Sequence, residues 1–294
     1  MTAVVLDGLS FPESPRWYGG RLWLADWGAG EALVLDADGR RRTVAALPSF
    51  PSCLDFLSDG GLLLVDSAAG RLLRREPDGA LVPHADLSAL SPHPWNEVVV
   101  DARDRAYVGG IGYDFPEGEP GPGLLALVDG GRARVVADDL AFPNGMALTA
   151  DGGTLLVAES HAGRITAFAV ADDGSLGGRR VWADLGDAAP DGICLDVEGA
   201  CWYADVPHRR VVRVAEGGAV LDVVELDRGA FSCALGGTTL YVVANRRGGA
   251  DGGADDGPAG QVVAVTVSVP GPERGPVPGP VPGPAPGPAP SPSA

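Results

Sequence analysis

Four residues of the chain, Glu13, Asn96, Asn144 and Asp191, occupy corresponding points of a recurring pattern, and their oxygen side chains suit a hard cation. They head the segments Phe11-Pro12-Glu13, Pro94-Trp95-Asn96, Phe142-Pro143-Asn144 and Ala189-Pro190-Asp191, and two further copies open at Phe50-Pro51-Ser52 and Ala230-Phe231-Ser232. Two carboxylates and two carboxamides brought to one point would bind a single divalent ion. Ca²⁺ is the expected one, because it takes six to eight oxygens and so leaves places for water and substrate. Mg²⁺ and Mn²⁺ suit the same donors, whereas Zn²⁺ suits them less, since no His or Cys belongs to the set. Asn and Asp also bond their own backbone at turns. A shared ion is the stronger reading here because four such residues align in register.

The elements that must position them follow from the repeat itself. Successive openers lie 39, 44, 48, 47 and 41 residues apart, the length of a four-stranded propeller blade. Within the fourth copy, Met146–Thr149, Thr154–Ala158 and Arg164–Val170 read as strands around an Asp151-Gly152-Gly153 turn,. An all-β, six-bladed β-propeller over residues 1–269 is therefore expected. The rival is a solenoid, whose coils are shorter. In an up-and-down blade the inner strand begins on the face where the second strand ends, so the openers share a face with the second-to-third-strand loops. Those loops should present Asp26 and Trp27, Ser67, Tyr113 and Asp114, His161, His208 and Asn245. Trp27, Tyr113, His161 and His208 are the expected substrate contacts, and the histidines could also shuttle protons. Trp95 is either an apolar pocket wall or packing between blades. The long link Ile111–Pro122 is either a lid or a surface insertion.

Composition narrows the partners. The 294 residues carry a formal charge of −17, which disfavours nucleic acid,. There is no lysine, which excludes Schiff-base and P-loop chemistry,. Cys53, Cys194, Cys201 and Cys233 form no Cys-x-x-Cys pair and sit largely in apolar runs, so buried thiols and a cytoplasmic setting are expected. No stretch reaches the roughly 20 apolar residues of a membrane span, and Met1–Ser10 lacks the features of a signal peptide,. Residues 270–294 form a Pro/Gly-rich stretch expected to be a disordered tail, and Arg246–Ala259 an acidic loop,.

The run Phe11-Pro12-Glu13-Ser14-Pro15-Arg16-Trp17, followed in order by Pro143-Asn144-Gly145-Met146-Ala147 and Pro190-Asp191-Gly192-Ile193, resembles the senescence marker protein/gluconolactonase (regucalcin-like) family over about residues 5 to 268. The resemblance implies a Ca²⁺-dependent propeller hydrolase. It makes Glu13, Asn144 and Asp191 metal ligands, Asn96 a ligand or substrate contact, and Asp191 the catalytic acid/base. One departure bears on substrate: where sugar lactonases of the family tend to have Arg-x-Asn-Asp, this chain has Pro94-Trp95-Asn96-Glu97. A lactone or related ester is the expected substrate, and the replacement by Pro94 of the arginine that would hold a sugar-acid oxygen argues against a gluconolactone-type one. Two other readings stay open, an isomerase or cyclase using the same metal and a non-catalytic interaction platform with a structural ion.

Overall fold

The computed structural model describes residues 2–36, 39–47, 51–246 and 258–275, which form six four-stranded antiparallel sheets in a ring. Blade 1 runs outward through Pro12–Tyr18, Arg21–Asp26, Glu31–Leu35 and Arg41–Ala46. The inner strands of blades 2 to 6 are Pro51–Phe56, Trp95–Val100, Pro143–Leu148, Pro190–Leu195 and Gly229–Gly236. Each inner strand packs on the inner strands of the blades before and after it. The blades thus follow one another around the axis in chain order, and blades 1 and 4 face each other across it.

Burial explains the order of strands within a blade. Inner strands such as Trp95–Val100 and Gly229–Gly236 are buried along their whole length, while the outer strand Val220–Glu225 is largely exposed. Strands covered on both faces need unbroken apolar runs, and those with one wet face do not. The core is divided accordingly into clusters between adjacent sheets. Trp95 belongs to one of these, fully enclosed between blades 2 and 3 against residues such as Leu87, Val98 and Val108. The reading of Trp95 as a pocket wall is corrected on that ground, because the ring has no surface left to offer a ligand.

Both chain ends close the ring. Thr2–Leu9 pairs antiparallel with Gly260–Thr266 as the outermost strand of blade 6, so one blade joins the first strand to the last three. Beyond it, Pro270–Gly275 crosses the end of the channel opposite the openers. There Pro270 O accepts from Val197 N at 3.0 Å, Gly271 N donates to Gly237 O at 2.9 Å, and Arg274 O accepts from Gly19 N at 2.9 Å. These six residues, read from sequence as the start of a tail, lie against the propeller. Residues 276–294, residues 247–257 of the acidic loop and the Ser52 side chain lie outside the described residues. The four cysteines are free thiols, three of them buried. Among the described residues no helix is long and apolar enough to cross a membrane.

Candidate metal centre

The register of each inner strand slips at its opener. Ladder shifts fall between Glu13 and Arg16, Trp95 and Val98, Pro143 and Met146, and Pro190 and Ile193. An extra residue bends the strand and re-aims a side chain, so each opener can leave the alternating in-and-out pattern of the pleat. Glycine lets the strands converge there. A Cβ on Gly145 would stand 2.5 Å from Asp191 O and Ile193 N, and one on Gly192 would stand 2.7 Å from Ser232 Cα. Blade 6 departs from expectation. Its pair Gly229↔Asn245 corresponds to Pro190↔Asp205 in blade 5, which sets Ala230 at the rank of Asp191 and Ser232 two residues further down. Ser232 is fully buried against Gly192 and is not a sixth opener.

Three of the openers are linked side chain to side chain, and Glu13 lies near enough to feel the Asp191 charge. Asn96 Nδ2 donates to Asn144 Oδ1 at 3.1 Å, Asn144 also hydrogen-bonds the Asp191 carboxylate, and Asn144 Nδ2 reaches Ser160 Oγ at 3.3 Å. Ser160 in turn donates to Pro190 O at 2.7 Å, so it ties blade 4 to the residue before Asp191. Glu13 and Asn96 are buried, and Asn144 and Asp191 are half-buried. Burial raises the pKa of Glu13, and the nearby Asp191 adds to the rise, against the lowering effect of the Ser14 N–H. Asp191 is raised by burial and then by Glu97, opposed by hydrogen bonds from Asn144 and the Gly192 N–H. Like charges forced together away from water disfavour ionisation, and a cation between them reverses that preference.

Two buried layers support the openers, and Asp26 and Asn245, expected at the mouth, are buried in one of them instead. One lies below the ring, where Arg16 Nη2 donates to Glu97 Oε1 at 2.6 Å and to Val98 O at 3.0 Å, linking blade 1 to blade 3. Cys53 of blade 2 bonds the same Glu97 oxygen and contacts Ser14 Oγ at 2.6 Å. The other layer is built from the residues that end the second strands. Asp26 accepts from Ser10 N and Phe11 N at 3.0 and 2.7 Å, Glu159 from Ala141 N at 2.8 Å, and Asp205 from Ala189 N at 3.3 Å. Each of them holds the turn that leads into Glu13, Asn144 or Asp191. A legible signal existed for this layer, since five of the six second strands end in Asp, Glu or Asn: Asp26, Asp66, Glu159, Asp205 and Asn245.

The expected substrate contacts divide. Trp27 lies half-buried in the short 3₁₀ turn Trp27–Ala29, stacked on Phe11 with centroids 5.4 Å apart. His161 is exposed in the matching turn Ser160–Ala162 and stacks on Phe142 at 4.8 Å. Partial desolvation of its ring lowers the pKa of His161. Tyr113 is nearly enclosed and reaches the mouth through Phe142 and His161. His208 turns its Nδ1 to Asp205 at 2.8 Å, beside Arg210 on the same carboxylate, and so braces the layer behind Asp191.

Among the described residues no three His, Cys, Asp or Glu side chains gather as a metal cluster. What converges is the mixed set of two carboxyls and two amides. That set fits a hard divalent ion, since Glu13 and Asp191 are paired acids held above the usual carboxyl range. Against known proteins, residues 11–246 match the SMP-30/Gluconolactonase/LRE-like region. The chain belongs to this family. Within it, the chain is 27% identical to a 6-deoxy-6-sulfogluconolactonase of Pseudomonas putida over 76% of this chain and 79% of that one. It is 30% identical to an L-arabinolactonase of Azospirillum brasilense, over 73% of each. Among solved structures, a calcium-binding regucalcin from Agrobacterium tumefaciens superposes with a TM-score of 0.79 at 24% identity, covering 93% of this chain and 96% of the other. The likeness in fold reaches past the matched segment, into the closing strands of blade 6.

Proposed function

We propose that the chain is a divalent-metal-dependent lactonase, with Ca²⁺ as the ion held by Glu13, Asn96, Asn144 and Asp191. The observation behind this reading is the convergent set itself: Asp191 joined through Asn144 to Asn96, with Glu13 near enough that the Asp191 charge adds to the rise in its pKa. The lactonases among its relatives supply the reaction class. An ion bound there would polarise an ester carbonyl and acidify a neighbouring water. Asn96 would orient the carbonyl with its second amide N–H. Asp191 would take a proton from the attacking water as the new C–O bond forms. It would return that proton to the ring oxygen as the lactone C–O bond breaks, giving the hydroxy acid. Asn144 holds Asp191 in place, and its hydrogen bond together with that of the Gly192 N–H favours the ionised form,. Free thiols agree with a cytoplasmic setting,.

The test is a screen of lactones and aryl esters with and without chelator. Hydrolysis that stops on chelation and returns with Ca²⁺ is expected. Turnover unaffected by chelator would remove the metal from the reaction, and no turnover across the panel would leave the platform reading in its place.

A further inference from the structure

The rim above the ring carries two stacked aromatic pairs, and they occupy the same two positions in opposite blades. In blade 1, Phe11, two residues before Glu13, stacks on Trp27 of the turn that follows the second strand, at 5.4 Å and 24°. In blade 4, Phe142, two residues before Asn144, stacks on His161 of the corresponding turn, at 4.8 Å and 27°. Each pair is backed by another aromatic: Phe231 meets Phe11 edge-on at 4.8 Å, and Phe115 lies 5.3 Å from Phe142 with 45% of its surface exposed. Phe142 is held at φ 59, a left-handed conformation that is rare for a bulky side chain and tends to persist where function requires it,.

Three arginines that follow the second strands are paired with the acids that end those strands. Arg71 pairs with Asp66 at 2.7 Å, Arg164 with Glu159 at 2.9 Å and Arg210 with Asp205 at 2.9 Å. A polyol bound between the aromatic pairs would lose water from its hydroxyls against ring faces, at a cost that unmatched hydroxyls cannot recover. A flat apolar body in the mouth would find aromatic side chains on both of these blades, half-buried Trp27 on one and exposed His161 on the other,.

Resting on the lactonase reading, we propose that the mouth is an aromatic slot between blades 1 and 4, selecting lactones fused to or bearing an aryl ring over sugar lactones. The test compares kcat/KM for dihydrocoumarin and γ-phenyl-γ-butyrolactone with that for glucono-δ-lactone and arabinono-γ-lactone on the Ca²⁺-loaded protein. In parallel, binding of the matching non-hydrolysable lactams, 3,4-dihydroquinolin-2-one and gluconolactam, is followed by quenching of tryptophan fluorescence. Aryl substrates are expected to lead by about ten- to a hundredfold. Trp27→Ala and His161→Ala, which spare the core, should erase most of that lead through KM rather than kcat. Preference for the sugar lactones, or a lead untouched by both variants, overturns the slot and leaves the lactonase reading standing. Tight binding of the aryl lactam without hydrolysis of any lactone upholds the slot and removes the lactonase reading. Equal affinity for both lactams overturns the slot by itself.

Discussion

The two ends of the central channel are made by the same six strands and handle charge in opposite ways. At one end Glu13 and Asp191 crowd together with pKa values raised by burial, while the nearby Arg16 is bonded to Glu97. At the other end the fully buried Asp55 is ion-paired with Arg274, whose Nη1 lies 3.0 Å from Oδ1, and its Oδ2 accepts from Arg274 Nη2 at 3.2 Å and from the Val100 N–H at 2.8 Å. Below the ring, an apolar cavity of about 610 Å³ is walled by side chains such as Val99, Met146, Leu195 and Leu235 and bordered by Pro272–Gly275. A buried acid whose counter-charge comes from the chain serves stability. A pair of acids left above their ordinary range would be held ionised by a cation from outside, and such departures from good internal pairing concentrate at functional sites.

The largest effect should come from removing the proposed base. Asp191→Asn keeps the shape and the bond to Asn144, so lactone turnover should fall by about 10²- to 10⁴-fold, while calorimetry shows a smaller loss of metal affinity. Retained turnover would separate the ring from the chemistry. Next in size is Gly145→Ala, whose Cβ would sit 2.5 Å from Asp191 O. Forcing blades 4 and 5 apart should weaken metal binding by about 10- to 100-fold, the range found when groups behind metal ligands are altered. The same substitution at Gly177, where a Cβ meets nothing within 4 Å, is the control on metal binding.

At the other end, Arg274→Ala leaves Asp55 buried without its cation. Because the arginine side chain is 36% exposed, the loss should be about 1–3 kcal/mol rather than the full cost of breaking an enclosed pair. Metal affinity and turnover should change little. Thermal melts and calorimetry on one preparation would show it, and a parallel loss of metal affinity would contradict the division between the two ends.

How much of this was written in the sequence depends on which physical signal carried it. Blade number and the grouping of Glu13, Asn96, Asn144 and Asp191 followed from spacing, because a repeat of about 44 residues repeats its register as well. Ser232 misled for the same reason. Its motif looked aligned, yet the bulge in blade 6 falls at Phe231, and a one-residue shift in a strand is invisible to spacing,. Arg16 and Glu97 meet across 81 positions of chain, and no local pattern announces such a contact. The bracing role of His208 needed the position of Asp205, and the packing of Trp95 needed the face of blade 2. The strap Pro270–Gly275 was hidden by its composition, since Pro and Gly read as disorder even where backbone groups on the propeller bind them.

The smallest expected effect, and the one that sharpens the contrast most, is in the pH dependence of stability. In the metal-free fold Glu13 and Asp191 hold protons above their ordinary values of 4.5 and 3.8, whereas the unfolded chain releases its protons near those values. Over the interval between, the folded state binds more protons than the unfolded state, so stability must fall as pH rises. Its full value is present below the ordinary carboxyl range and is lost as pH climbs through the raised values. Urea melts of chelated protein at several pH values from about 4.5 to 8 should show this decline. Saturating Ca²⁺ should flatten it, because a bound cation holds both acids ionised in the fold. Replacing both acids, as Glu13→Gln with Asp191→Asn, should flatten it without metal. Arg274→Ala should lower every point of the metal-free curve and leave the decline in place, because it leaves Glu13 and Asp191 untouched. A decline that disappears with Arg274 instead would move the unpaired charge to the wrong end of the channel.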